Sequence, residues 1–345
     1  MALALAVSGC GGGGDDELVE PEIERPPNGE PSSLTTTAPP EQTSETAPST
    51  TTTEPLRSVV DFDLEATTVT LLCPGQEAPV SLDGEPSGPV LAEVVEDLPY
   101  DLDLDGVPER VVLASCRVPE ADGEGEEASR SVVALAASAD GLVQLGAPLP
   151  AEALHDVDSS LVAEQSATAD GRTVTAYSPL TILEGRLTEG GAGLPLTTSD
   201  PALPMGLGGL EIGAPYPLLA SNLGSSVTVH HFGAPEECGV VRVEGSLDGV
   251  RGLGGDGTLA SVEVTNPEVL TDSGLGVGST EDDVRAAYGD HLQRARDPGA
   301  AGREFLVATP PDTDGLIAVF EVTAGEVVNF RVGEPGWAAA LDGCS

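Results

Sequence analysis

Along most of this chain, apolar residues come in short runs rather than in long amphipathic stretches. Between Ser58 and Thr198 the runs are VTLLC (Val69 to Cys73), GPVLAEVV (Gly88 to Val95), RVVLASC (Arg110 to Cys116), SVVALAA (Ser131 to Ala137) and RTVTAYS (Arg172 to Ser178). They are rich in Val, Leu and Ala and are divided by LDGE, ADGEGEE, ADG and ADGR, whose Asp and Gly suit tight turns. The pattern predicts a mainly β, antiparallel domain over residues 58–198. Only the stretch Ala151 to Ala163 has a spacing that suits a helix.

From residue 207 to 345 the pattern changes and repeats. LEIGAPYPLLASNLG (Leu210 to Gly224) aligns without gaps on LGVGSTEDDVRAAYG (Leu275 to Gly289). The matches are Leu210 with Leu275, Ile212 with Val277, Gly213 with Gly278, Leu219 with Val284, Leu223 with Tyr288 and Gly224 with Gly289. Each copy reads as a short strand, a glycine turn, a short helix and a glycine stop. In the second copy Thr280 caps the helix, Asp283 takes the capping-box position, and Glu281 and Asp282 suit its positive end. In the first, Pro215 and Pro217 fall in the opening turn, where proline is tolerated. VTVHHF, GVVRVEG and TLASVEVT follow the first helix; EFLVATP, GLIAVFEV and EVVNFRVG follow the second, the last two joined by a TAGE hairpin turn. The expectation is an α+β domain of two half-repeats, forming one antiparallel sheet with helices on one face.

The first 57 residues belong to neither pattern. An apolar MALALAVSGC is followed by Pro, Thr, Ser, Glu and Gly, as in SSLTTTAPPEQTSETAPSTTTTEP. Residues 11–57 hold too little apolar surface to offset the entropy of ordering, so a disordered linker is expected, roughly 40 Å across as a coil. Val7-Ser8-Gly9-Cys10, an aliphatic residue and two small ones before cysteine, resembles the lipobox of bacterial lipoproteins. That resemblance implies a signal over residues 1–10, a diacylglycerol on the Cys10 thiol, and anchoring at the extracytoplasmic face of the cell membrane, with the linker as a stalk. The leader departs from the family in having no Lys or Arg before Cys10. No apolar run reaches the ~18 residues of a membrane span, so the lipid is expected to be the anchor.

Charge narrows the partners. Fourteen basic residues, all Arg, stand against 58 acidic ones, a formal net charge of -44. A field of that sign repels phosphate backbones, which argues against nucleic acid, and it attracts cations. With Cys10 assigned to lipid, Cys73, Cys116, Cys238 and Cys344 allow three pairings. The within-domain pairs Cys73–Cys116 and Cys238–Cys344 are the expected ones in an oxidising compartment.

The stretch DLDLDGVPE (Asp101 to Glu109) carries the candidate chemistry. Asp101, Asp103 and Asp105 take positions 1, 3 and 5 of a calcium loop, Gly106 the sharp turn, Val107 the backbone-carbonyl ligand and Glu109 position 9. Val112 at position 12 excludes an EF-hand. In an extended strand the same acids would lie ~6.8 Å apart on one face, too spread to share a cation, with Leu102 and Leu104 buried behind them. Both readings are open on the sequence. The DxDxDGxx[DE] spacing resembles the loops of integrin-type β-propeller repeats. It also resembles a segment that recurs in secreted and lipid-anchored proteins of high-GC bacteria, with Leu104 where Gly or Asn is usual. That resemblance implies bound calcium.

Other motifs carry less. GLGGDG (Gly252 to Gly257) fits GxGxxG, but a strand pattern follows it rather than the helix a dinucleotide site needs, so a hairpin turn is expected. GLGVGST lacks the lysine of a P-loop. His230 and His231 are neighbours in a strand and point to opposite faces, so they are not expected to share a metal. His155 and His291 stand alone in polar contexts, and no nucleophile has an identifiable base. The GxΦG…GST-x-x-[DE]-V…YG pattern of the repeat resembles outer-membrane assembly lipoproteins of the SmpA/OmlA type and tandem-repeat β-lactamase-inhibitory proteins. It implies a protein-binding sheet without catalysis. The expectation is therefore a lipid-anchored cell-envelope protein, joined to the membrane through Cys10, with a protein partner on the C-terminal sheet and no catalytic residue. The alternatives are a cell-envelope hydrolase built from scattered acids and a purely structural envelope protein.

Overall fold

The expected runs become strands, and most of the strands outgrow the runs. A computed structural model describes residues 58–339, apart from breaks at 65–66, 74–75, 83–90, 119–126, 140, 170, 233–237, 246 and 297–303. The signal, Cys10, the linker and Cys344 lie outside the described residues.

The hairpin of β1 (Thr68–Cys73) and β2 (Gln76–Ser81) comes first. Then β3 (Leu91–Tyr100), β4 (Glu109–Val118), β5 (Glu127–Ser138), β6 (Gly141–Gln144) and the short β7 (Leu149–Pro150) form a five-stranded sheet. β8 (Ala153–Val157), β9 (Ser160–Ala169), β10 (Arg172–Leu183) and β11 (Arg186–Glu189) follow, and then a small sheet of β12 (Ala202–Leu203), β13 (Gly206–Leu207) and β14 (Leu210–Glu211). The helix α1 (Tyr216–Leu223) precedes β15 (Val227–His231), β16 (Gly239–Val243), β17 (Val250–Gly255) and β18 (Thr258–Val264). The helix α2 (Glu281–Tyr288) precedes β19 (Leu292–Arg296), β20 (Glu304–Ala308), β21 (Ile317–Thr323) and β22 (Glu326–Gly333), and α3 (Pro335–Ala338) ends the described chain. None of the helices among the described residues is long and apolar enough to cross a membrane.

The half-repeats are symmetric in topology. Each helix is followed by four antiparallel strands, and the two meanders meet through their last strands, β18 and β22, paired from Ser261↔Gly333 to Val264↔Phe330. The aligned positions do equivalent work. Leu219, Leu223, Val284 and Tyr288 all pack into one core with Phe320 and Phe330, and Leu210 and Leu275 are both buried there. The predicted capping box forms, with the Thr280 hydroxyl accepting from the Asp283 N–H at 3.2 Å and the Asp283 carboxylate accepting from the Thr280 N–H at 3.0 Å. Ala324 and Gly325, at φ 54 and 87, make the TAGE turn.

The sheet does not end where the repeats begin. Its order runs β19-β20-β21-β22-β18-β17-β16-β15-β10-β9-β8, with β11 also on β10. β10 and β15 are paired from Val174↔His230 to Tyr177↔Val227, so one sheet crosses the parting expected between residues 198 and 207. The described residues all fall within one compact unit.

Alternation explains the layers. In β4, Val111 and Leu113 point into a core shared with Leu161, Ala163, Leu180 and Leu187 of the long sheet, while Val112, Ala114 and Cys116 point to the β1–β2 hairpin. A strand buried on both faces reads as a continuous apolar run, as VVLA does. The hairpin lies across the five-stranded sheet instead of extending it, so its backbone needs side-chain partners. Gln144 Oε1 accepts from the Thr70 N–H at 2.7 Å, Ser131 Oγ accepts from the Leu72 N–H at 3.1 Å, and Ser129 donates to the Leu72 carbonyl. The Cys73–Cys116 disulfide fastens the same hairpin to β4. Cys238 is also disulfide-bonded.

Two expectations need correction. Ala151 to Ala163 is the β8–β9 hairpin, not a helix. Asp158 and Ser159 take positive φ, 45 and 64, which makes a tight turn, and Leu161 and Val162 are then buried on opposite faces of β9. The edge-strand reading of DLDLDG also fails, because β3 stops at Tyr100 and residues 101–108 form a loop in which Leu104 is 74% exposed.

Removing the Cys73–Cys116 bridge, whose cysteines are 43 residues apart, should cost about 4 kcal/mol in the loop-entropy account. Urea unfolding of a Cys73→Ala, Cys116→Ala double variant checks this. A midpoint equal to that of the unaltered chain would show that the side-chain hydrogen bonds hold the hairpin by themselves.

Candidate functional site

The loop between β3 and β4 is built by its own carboxylates. Asp101 accepts from the N–H groups of Asp105 at 3.1 Å and Gly106 at 2.9 Å, Asp103 accepts from Asp105 at 3.2 Å, and Asp105 accepts from Val107 at 2.7 Å. These bonds curl the chain tightly enough that Leu104 and Gly106 sit at φ 60 and 87, the second a conformation that glycine adopts at no steric cost. Leu102 is buried beneath the loop, and its carbonyl accepts from Thr181 Oγ1 of β10 at 3.1 Å. The loop is therefore pinned to the long sheet.

Three of the four expected carboxylate ligands converge. Oxygens of Asp101, Asp103 and Glu109 lie within 4.8 Å of one another, a spacing that one oxygen-loving cation can bridge. Asp105 lies outside this group. Glu109 is buried at the start of β4, where Oε2 accepts from the Leu102 N–H at 2.9 Å. Its carboxyl is held above the ordinary carboxylate range, first by burial and then by the charges of Asp103 and Asp101, against the lowering effect of the Leu102 hydrogen bond. A cation placed among the three oxygens would relieve that frustration.

The histidines are less solitary than their sequence contexts suggest. His155 Nε2 lies 2.7 Å from Glu164 Oε2, and its ring packs 5.9 Å from that of Tyr177. His231 is buried, with Nε2 3.2 Å from Thr175 Oγ1, which is 2.9 Å from Ser166 Oγ. Thr175 and His231 are both more than nine-tenths buried, so their contact satisfies buried polar groups, while Ser166 at the end of the chain is half-buried. His230 faces the other side of the sheet, as the strand alternation requires. GLGGDG is the β17–β18 hairpin.

A second feature is not legible from any motif. The face of the long sheet opposite α1 and α2 is open over β10, β15 and β16, where a cleft of about 270 Å³ collects Arg172, His230, Phe232, Val240 and Arg242.

No protein-family model matches the chain, and neither the curated proteins nor the solved structures contain a match.

Folded Glu109 holds its proton more tightly than the unfolded chain does, so stability falls as pH rises from the ordinary glutamate range through the raised one. Glu109→Gln removes the charge and keeps an acceptor for the Leu102 N–H. In calcium-free buffer its urea midpoint should exceed that of the unaltered chain at about pH 7, and the gap should close below about pH 4, where both side chains are neutral. A lower midpoint for the variant at neutral pH would refute this account of the loop.

Proposed function

We propose that this chain is a lipid-anchored protein of the extracytoplasmic side of the cell membrane, held through Cys10, and that its folded part binds a protein partner without catalysis. The observation that carries the binding half is the open face over β10, β15 and β16. Thr228, His230 and Val240 are only half-buried there and Arg242 is exposed, although the sheet is covered on either side. What favours binding over a hydrolase is that the hydroxyl–imidazole pair is sealed in the core and the acid triad sits on an outer turn. The lipobox-like VSGC and the polar stretch over residues 11–57 support anchoring with reach.

Calcium has a structural place in this reading. Bound by Asp101, Asp103 and Glu109, it would stiffen the turn that Leu102 and Thr181 pin to β10, and would do no chemistry.

Cys10→Ser should move the protein from the membrane fraction to the soluble fraction; unchanged partitioning overturns the anchor. A photo-crosslinker at Thr228 should capture a discrete partner in the native envelope that one at Asp282, on the exposed side of α2, does not. Identical products from both positions would remove the case for the open face.

Calorimetric titration with calcium should show one saturable site that Asp103→Ala abolishes. No heat at about 1 mM calcium would count against the ion.

A further inference from the structure

Among the described residues, the outward face of the long sheet is covered at both ends and bare in between. The five-stranded sheet lies over Leu161, Ala163 and Leu180 at one end. At the other, α3 packs through Ala338 against Phe305, Ile317 and Val319. The bare middle is a valley crossed by three strands in register. Val174 of β10 is opposite His230 of β15, which is opposite Val240 of β16, while Thr228 is opposite Arg242. His230 and Arg242 are thus diagonal neighbours on one face. The guanidinium of Arg172 stands 6.0 Å over the ring of Phe232 at the valley's upper rim. Arg251 closes the lower rim and is turned to Glu263, at 3.0 and 2.7 Å.

Charge makes this valley unusual in this molecule. The chain carries 58 acidic residues against 14 arginines, so an exposed arginine has carboxylates in abundance to meet. Arg110, Arg117, Arg251, Arg285 and Arg294 each meet one. Among the described residues, Arg130, Arg172, Arg186 and Arg242 form no ion pair, and the two that share the cleft are Arg172 and Arg242. They stand together in one cleft beside His230, whose imidazole is held below its ordinary range by burial and then by Arg242 and His231. No carboxylate of the described residues lines this cleft; Glu263, which shares the adjoining cleft with Arg242 and Asp248, is engaged by Arg251, so an incoming oxyanion would meet guanidinium groups that are not already paired. Guanidinium groups offer forked N–H pairs to a carboxylate or a phosphate. The floor and wall of the valley, Val174, Val240 and Phe232, are apolar, which suits a ligand with more than a charge.

We propose that this valley binds an organic oxyanion, a carboxylate or phosphate carried on an apolar body, with Arg242 and Arg172 meeting the charge and Phe232 and Val240 meeting the body. The inference rests on the reading of the open face as a binding surface and gives the chemistry that a partner would present to it.

The test is a histidine-ring NMR titration of the full chain, with His230 assigned through His230→Gln. The probes are phenylacetate, phenyl phosphate, acetate and inorganic phosphate. One of the two aromatic anions should shift the His230 resonance saturably with Kd below about 1 mM, leave the His155 and His291 resonances in place, and bind at least about tenfold more tightly than its counterpart without a ring. Preference for phenylacetate identifies a carboxylate, and preference for phenyl phosphate a phosphate. Arg242→Gln should weaken the response by about tenfold or more. The absence of a saturable shift at about 10 mM of either aromatic anion overturns the proposal, as does an Arg242→Gln variant that binds unchanged. Equal binding of the ringless anions overturns its apolar half. A partner still crosslinked from Thr228 without any anion response would sink the oxyanion and leave the binding face standing.

Discussion

The folded part of this protein depends on β10 being buried against two unlike partners at once. Along its length the strand pairs with β9, its first half pairs with β15, and its last residues turn back on β11. Tyr177 points into the core beneath α1, while Leu180 and Ile182 point into the core under the five-stranded sheet. Neither core is complete without this strand, and Thr181 also holds the acidic loop to it. The connection after β11 adds a second tie. The chain passes so close to the end of α1 that a Cβ on Gly193 would stand 2.0 Å from the Gly224 nitrogen. Gly191 and Leu194 donate to the carbonyls of Gly224 and Asn222, at 3.2 and 3.1 Å, and so satisfy groups that a helix end leaves bare. A glycine pair is what lets two backbones meet at that distance.

Local signals were readable and distant ones were not. Runs of Val, Leu and Ala announced most of the strands, and Thr280 with Asp283 announced the start of α2, because both depend on neighbours in sequence. β9 misled because Leu161, Val162 and Ala163 are adjacent apolar residues that serve two opposite cores, which blurs the two-residue period. β17 and β19, VRGLGG and LQRAR, are strands by virtue of their partners rather than their composition. The pairing of β10 with β15 had no sequence signal, since it joins residues fifty or more positions apart. The acidic loop was half legible. Its spacing singled out Asp101, Asp103 and Glu109, but which acids converge was decided by Asp105 turning to the Val107 N–H. The arginine valley was invisible because Arg172 reaches His230 only through that pairing, and Arg242 reaches it through the pairing of β15 with β16.

The surplus of acid gives both features their meaning. In a chain this negative, a carboxylate that stays buried beside two others is held there by the fold, as Glu109 is by the Leu102 N–H. For the same reason a patch of bare guanidinium groups is conspicuous. The two sites also differ in what surrounds them. The acid triad belongs to a turn whose backbone it organises, whereas Arg242 makes no bond that shapes the sheet. The first is part of how the fold holds together, and the second is spare chemistry on its surface.

The outermost strand of the long sheet has a consequence of its own. Among the described residues β19 pairs only with β20, which leaves its other side as an edge that could receive a strand from another molecule. Gln293, Arg294 and Ala295 are exposed along it, and Arg294 is drawn to Glu281 of α2 and Glu304 of β20. A foreign strand would have to displace those ion pairs and lie beside a helix whose first turn is three consecutive acids. That edge is therefore guarded by charge rather than by a covering element.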